Sequence, residues 1–224
     1  MDLTERKQIV KDKYQDIATG GSGCNCKSKK ISESIGYTQD ELDNVGNANM
    51  GLGCGNPVAI SSISEGDTVI DLGSGGGIDC ILAAKKAGVT GKVIGIDFTQ
   101  EMIDIAIGNV KKTNYTNIEF KLADIEHLPL EDGSVDKIIS NCVINLASDK
   151  SAVFNEAKRV LKMGGKMYVS DIVLLEELSE EQKIDKELIS GCVAGALLKE
   201  DYIGLIERLG FKVNILNENK KISK

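Results

Sequence analysis

Of the six cysteines in the 224-residue chain, three stand where a packing thiol is not expected. Cys54 lies among glycines in NANMGLGCGNP (47–57), Cys142 follows a β-branched run in IISNCVINL (138–146), and Cys192 sits in ISGCVAGAL (189–197). Cysteine is among the most buried residue types, so packing is the default for any single one. Cys80, inside the apolar helical run IDCILAAKKA (78–87), keeps that default. Cys54, Cys142 and Cys192 depart from it because each falls in a loop or insertion able to open on a ligand-binding edge. Three thiolates meeting there make a soft site. Structural zinc takes four ligands, usually in paired spacings, whereas this chain has no C-x-x-C and one histidine, His127, which reads as a lining or capping residue. A thiophilic ion with a pyramidal preference suits three thiolates better. Cys24 and Cys26 lie in TGGSGCNCKSKK (19–30), a loop flexible by composition.

The second chemical feature is TVIDLGSGGG (68–77). Val69 and Ile70 suit a strand buried on both faces. Gly73, Gly75 and Gly77 permit a tight turn and close approach of backbone to a ligand. The helical run from Ile78 stops before Gly88, so strand, turn and helix make a nucleotide-type cradle. A dinucleotide pattern G-x-G-x-x-G begun at Gly73 would need glycine where Ile78 stands. The run KVIGIDF (92–98) reads as a second strand ending in Asp97, about twenty residues past the turn, where a carboxylate accepts bonds from ribose hydroxyls. The G-x-G-x-G turn with this acid resembles the S-adenosylmethionine (SAM) methyltransferases.

The elements that must position these residues alternate. An amphipathic helix is expected over 2–17 and a short one from Thr38. After Asp97 come a helix over 99–112 opened by a Thr cap, a third strand over 117–123 followed by Asp124, Ile125 and Glu126, and a fourth strand over 135–140 that delivers Cys142 to its carboxyl end. A helix over 151–162, a fifth strand over 166–170, a mostly helical insertion carrying Cys192, a helix over 200–209 and a sixth strand over 211–216 complete the pattern. This predicts an α/β fold with a doubly wound, parallel, Rossmann-like sheet. The expected organisation is an N-terminal helix with cysteine-bearing loops (1–60), a cofactor-binding domain (61–216) with its insertion at 172–198, and a polar tail (217–224).

The formal net charge of −7, without a Lys/Arg tract, argues against nucleic acid as partner. No apolar run reaches the roughly 18 residues that span a bilayer, and the charged start does not read as a signal peptide. A cytoplasmic protein without membrane partners is expected, and in that reducing compartment its cysteines would be thiols.

SNCVINLASDK (140–150), GLGCGNP (51–57), DLGSGGGIDC (71–80) and SGCVAGAL (190–197) together are similar to the arsenite methyltransferases. The resemblance runs from about Cys24 to Phe211 and implies a class I SAM-dependent methyltransferase. Cys54, Cys142 and Cys192 would correspond to As(III)-binding thiols. Cys24 or Cys26 would supply a further redox-active thiol able to pair with Cys54, re-reduced by an external reductant of thioredoxin or glutathione type. The implied SAM site comprises Asp71, Gly73, Ser74, Gly75, Gly77, Asp97, Phe98, Met102, Asp124, Ile125 and Glu126. The implied substrate is As(III) or its thiol conjugates. The resemblance implies that most members continue past the sixth strand into a seventh. The sequence here runs instead into the polar NENKKISK (217–224), so either a shortened chain or an incomplete sheet is expected. Two rival readings stay open. One is methylation of a small organic substrate, for which Glu126 or His127 would be the acid or base; the other is an As(III)-binding protein without turnover.

Overall fold

The computed structural model describes residues 2–20 and 28–219; Cys24 and Cys26 lie outside them. Helix α1 (Leu3–Ala18) starts in a capping box, Asp2 and Glu5 each accepting the other's backbone N–H. Helices α2 (Ser28–Ser34), α3 (Gln39–Val45) and α4 (Pro57–Ile60) lead to strand β1 (Thr68–Leu72). Then α5 (Ile78–Ala87), β2 (Lys92–Asp97), α6 (Gln100–Val110), β3 (Ile118–Leu122), β4 (Val135–Asn141), α7 (Lys150–Val160) and β5 (Leu161–Ser170) alternate. The insertion holds α8 (Glu180–Ile184) and α9 (Lys186–Ser190), and α10 (Lys199–Arg208) follows.

The sheet is parallel with order β3-β2-β1-β4-β5. Successive strand residues point to opposite faces, and the core divides accordingly. Val69, Val93 and Ile139 join the layer under α3, α4 and α5, while Ile70, Leu72, Ile94, Ile96 and Ile138 join Phe154 of α7 and Tyr202 of α10 on the other face. The chain leaves β1 one way for β2 and β3 and the other way for β4 and β5. The crevice at the carboxyl ends of β1 and β4 is therefore the switch point at which such sheets bind ligands. A third, smaller apolar cluster joins Val10 of α1 to Ile189 and Ala194 of the insertion.

Two expectations need correction. Residues 211–216 form no strand: strand-forming side chains need a paired neighbour, and no ladder joins this segment to β5. Phe211 instead packs edge-on against Phe154. The loop expected over 19–30 already turns into α2 at Ser28, and that helix is tied down by the buried Ser32 hydroxyl bonding Asn49 Oδ1 at 2.7 Å. Among the described residues no helix is long and apolar enough to cross a membrane.

Candidate active site

A cavity of about 530 Å³ opens at the switch point. One wall is the turn after β1. Gly73, Gly75 and Gly77 have φ of +69°, +48° and +87°, values that side chains other than glycine rarely adopt. A β-carbon on Gly73 would fall 2.4 Å from Val143, the neighbour of Cys142, so glycine lets the turn touch the cysteine loop. Asp97 closes β2, its Oδ2 accepting from Gly75 N at 3.0 Å and its Oδ1 from Thr99 N at 2.9 Å. Burial raises its pKa, and those N–H bonds partly offset the rise. Asp71, Phe98, Asp124 and Ile125 also line this half. Burial, and then the nearby Asp79 carboxylate, push Asp71 well above the usual range.

The opposite half is built by loops. Cys54, Cys142 and Cys192 all line the cavity. Cys142 (φ +60°) and Cys192 (φ +64°) are the residues other than glycine at positive φ among the described residues, a strain met at functional sites. The Cys142 turn is held by its own N–H on Ser170 O at 2.8 Å. Its carbonyl accepts from the Cys192 thiol at 2.6 Å, and Tyr14 of α1 lies close enough to the same thiol to interact with it electrostatically. Burial pushes that thiol's pKa up. Cys54 and Cys142 are joined in a disulfide with a Cα separation of 5.7 Å. The expectation of free thiols is corrected for this pair, since the fold brings two residues 88 apart in sequence within bonding range. With those sulfurs joined, no group of three His, Cys, Asp or Glu among the described residues is arranged to hold a metal ion.

A buried polar network fixes the Cys54 turn. Asn141 Oδ1 accepts from Cys54 N at 2.9 Å and Gly55 N at 3.3 Å, while its Nδ2 reaches Gly55 O at 2.7 Å, Tyr37 Oη at 2.9 Å and Asp79 Oδ2 at 3.2 Å. Tyr37 Oη donates to Asp79 Oδ1 at 2.8 Å. Neither Asn141 nor Asp79 stood out by spacing, although an acid on the apolar run of α5 is a signal that it has a partner. Tyr14 and Val10 of α1 also line the cavity, which the helix's pattern alone could not place.

Of the expected cofactor residues, Asp71, Gly73, Ser74, Gly75, Asp97, Phe98, Asp124 and Ile125 line the cavity, and Gly77, Met102 and Glu126 do not. Met102 is fully buried in α6. Glu126 pairs with Lys7 of α1 at 3.1 Å and accepts from Ser148 N and Asp149 N. His127 is exposed, Cys80 is core, and its thiol donates to Asp71 Oδ2 at 3.3 Å. The residues present fit SAM: Asp97 and Asp124 offer carboxylate oxygens to hydroxyl and amino groups, Phe98 and Ile125 an apolar flank for a purine, and the glycine turn close backbone contact.

A parallel sheet of this order, with a glycine turn after β1 and an acid closing β2, is the class I SAM-dependent methyltransferase fold. Residues 63–210 match the family described as "Methyltransferase domain", and the chain belongs to that family. It is 41% identical to an arsenite methyltransferase of Halobacterium salinarum across 94% of this chain and 58% of that protein. With the human arsenite methyltransferase the identity is 35%, covering 91% of this chain and 55% of the other. A solved arsenic(III) S-adenosylmethionine methyltransferase from Chlamydomonas reinhardtii superposes with a TM-score of 0.65 at 35% identity, over 80% of this chain and 61% of that one. The chain thus spans little more than half the length of these curated relatives.

Proposed function

We propose that this chain carries out SAM-dependent methylation of trivalent arsenic bound by Cys54, Cys142 and Cys192. The observation that carries the reading is that these three cysteines line the same cavity as the glycine turn and Asp97, in a chain similar to arsenite methyltransferases over most of its length. Residues 61–216 act as the SAM-binding unit and 172–198 as its arsenic-binding insertion.

When bound, SAM supplies an electrophilic methyl group on a sulfonium sulfur. The chain's own share is positioning. In the reduced protein the three thiolates take As(III) directly, or from a thiol conjugate by exchange, and leave its lone pair opposite the sulfurs. Asn141 holds the Cys54 turn, and Ser170 O holds the Cys142 turn. A lone pair needs no general base. That agrees with the engagement of Glu126 by Lys7 and backbone and with the exposure of His127, one or other of which an organic substrate would use as acid or base.

Transfer of a methyl cation raises arsenic from +3 to +5. Two thiolates then return two electrons, arsenic goes back to +3 and one disulfide forms. Cys54–Cys142 is an oxidised pair of the required kind. Cys24 or Cys26 would open it by attack at Cys54, and an external thiol of thioredoxin or glutathione type would restore both thiols by exchange.

The test is arsenic speciation after incubation of the protein with As(III), SAM and a thiol reductant, with Cys142→Ser in parallel. Methylated arsenic from the wild type alone is the expected result. Equal product from both, or SAM binding without any As(III) affinity, overturns the reading.

A further inference from the structure

A second cavity of about 230 Å³ lies behind the Cys192 segment, bounded by α1, the turn after β4, the start of α7 and the insertion. The reaction proposed above makes no use of it. Two cations line it, Arg6 and Lys150. Arg6 Nη2 donates to two neutral acceptors, Lys183 O at 2.7 Å and Ala194 O at 3.3 Å. Lys150 is half-buried and makes neither a hydrogen bond nor an ion pair with any described residue. Burial lowers its pKa; Asp171 opposes that fall and the charge of Arg6 adds to it.

The carboxylates facing Lys150 are engaged elsewhere. Asp171 accepts from Tyr202 Oη at 2.9 Å, Asn145 Nδ2 at 3.0 Å and Ile172 N at 3.3 Å. Glu126 is held by Lys7, Ser148 N and Asp149 N. Two like charges therefore share a cavity wall without an ion-pair partner for either among the described residues, an arrangement that an anion would complete. On the same wall Asn145, 3% exposed, has a buried Oδ1 without a partner. An anion that also carries a hydrogen-bond donor would answer both features.

We propose that this cavity binds a small hydroxycarboxylate. Its carboxylate lies between Arg6 and Lys150 in charge-assisted hydrogen bonds, its hydroxyl donates to Asn145 Oδ1, and its short carbon stem meets Val10 and Leu197. A bare tetrahedral oxyanion would leave the apolar part of the wall unused. The two cavities share Val10, Leu146 and Ala147, and Arg6 bonds Ala194 O, two residues from Cys192. An occupant thus ties α1 to the segment that carries this cysteine.

The experiment is saturation-transfer NMR of lactate with the full chain at constant ionic strength, with propionate and sulfate as competitors. Lactate is expected to bind in the millimolar range, propionate several-fold more weakly, and sulfate without displacing lactate. Lys150→Met should weaken lactate at least ~10-fold, a loss of about 1.4 kcal/mol, and Lys150→Arg should restore it. Ala196→Met, which enlarges a residue of the cavity wall and leaves both cations in place, should abolish lactate binding. Absence of lactate binding to the folded wild type, unchanged affinity in both Lys150→Met and Ala196→Met, or sulfate binding in preference to lactate each overturns the proposal.

Discussion

Cys80 and Cys192 are buried alike, 0% and 3% exposed, but their backbones differ in kind. Cys80 lies in regular helix α5, whereas Cys192, like Cys142, is held at positive φ, where a side chain costs roughly 1–2 kcal/mol. Burial therefore does not separate these two thiols. Strain does, because it persists only where the surroundings enforce it. The same contrast runs through the cavity at larger scale. Its cofactor half is the edge of a regular sheet with glycines where positive φ is required, and its thiol half is three loops bearing cysteines at two such positions.

Exchange of sulfur for oxygen is the hardest test of that contrast. Cys192→Ser should lower the rate of arsenic methylation by about three orders of magnitude, equivalent to about 4 kcal/mol. Cys80→Ala, measured by the same product assay, should stay within about twofold of wild type. Equal losses at both sites would erase the distinction.

Near that half, Asp171 is bonded by Tyr202 and Asn145, and loss of solvent around it pushes its pKa up to about 7 from its ordinary 3.8. Between those two values the native state keeps a proton that the unfolded chain has released. Stability should therefore fall as pH rises from about 4 to about 7 and level off above, by as much as ~4 kcal/mol. Urea unfolding across that window should give a shallower slope in Asp171→Asn than in the wild type, the remainder coming from the raised carboxyls of Asp71, Asp79 and Asp97. Asn141→Ala, which strips the Cys54 and Gly55 N–H groups and Asp79 of their shared partner, should cost about 2–3 kcal/mol in the same assay.

The smallest effect is the most diagnostic of strain. At position 80, glycine should be less stable than alanine by about 1 kcal/mol, the ordinary helical order. At position 192 the order should invert, with glycine the more stable by about 1 kcal/mol. The same order at both positions, read from denaturant midpoints, would mean that Cys192 is not strained.

How far these features could be read from residues alone follows the same division. Strand β1, its glycine turn and Asp97 were legible because their meaning lies in local spacing and strand propensity. The loop cysteines were legible as a group because each follows a strand end or sits among glycines. The Cys54–Cys142 bond was not, since it depends on the register that sets β4 beside β1 and on Asn141 drawing the Cys54 turn inward. Nor was the place of α1, whose apolar stripe is satisfied by any neighbour; Lys7 on Asp124 and Tyr14 on the cavity wall with Cys192 are tertiary facts. Residues 211–216 carry a strand-like pattern, but pattern does not make a strand without a ladder partner.

The central claim is that Cys54, Cys142 and Cys192 hold arsenic together. Arsenic X-ray absorption on the reduced protein, loaded with less than one equivalent of As(III) and freed of small thiols, tests it most directly. Three sulfur neighbours are predicted in the wild type, with one replaced by oxygen in Cys54→Ser. Three sulfurs in a variant lacking all three cysteines, or no bound arsenic in the wild type, would contradict it.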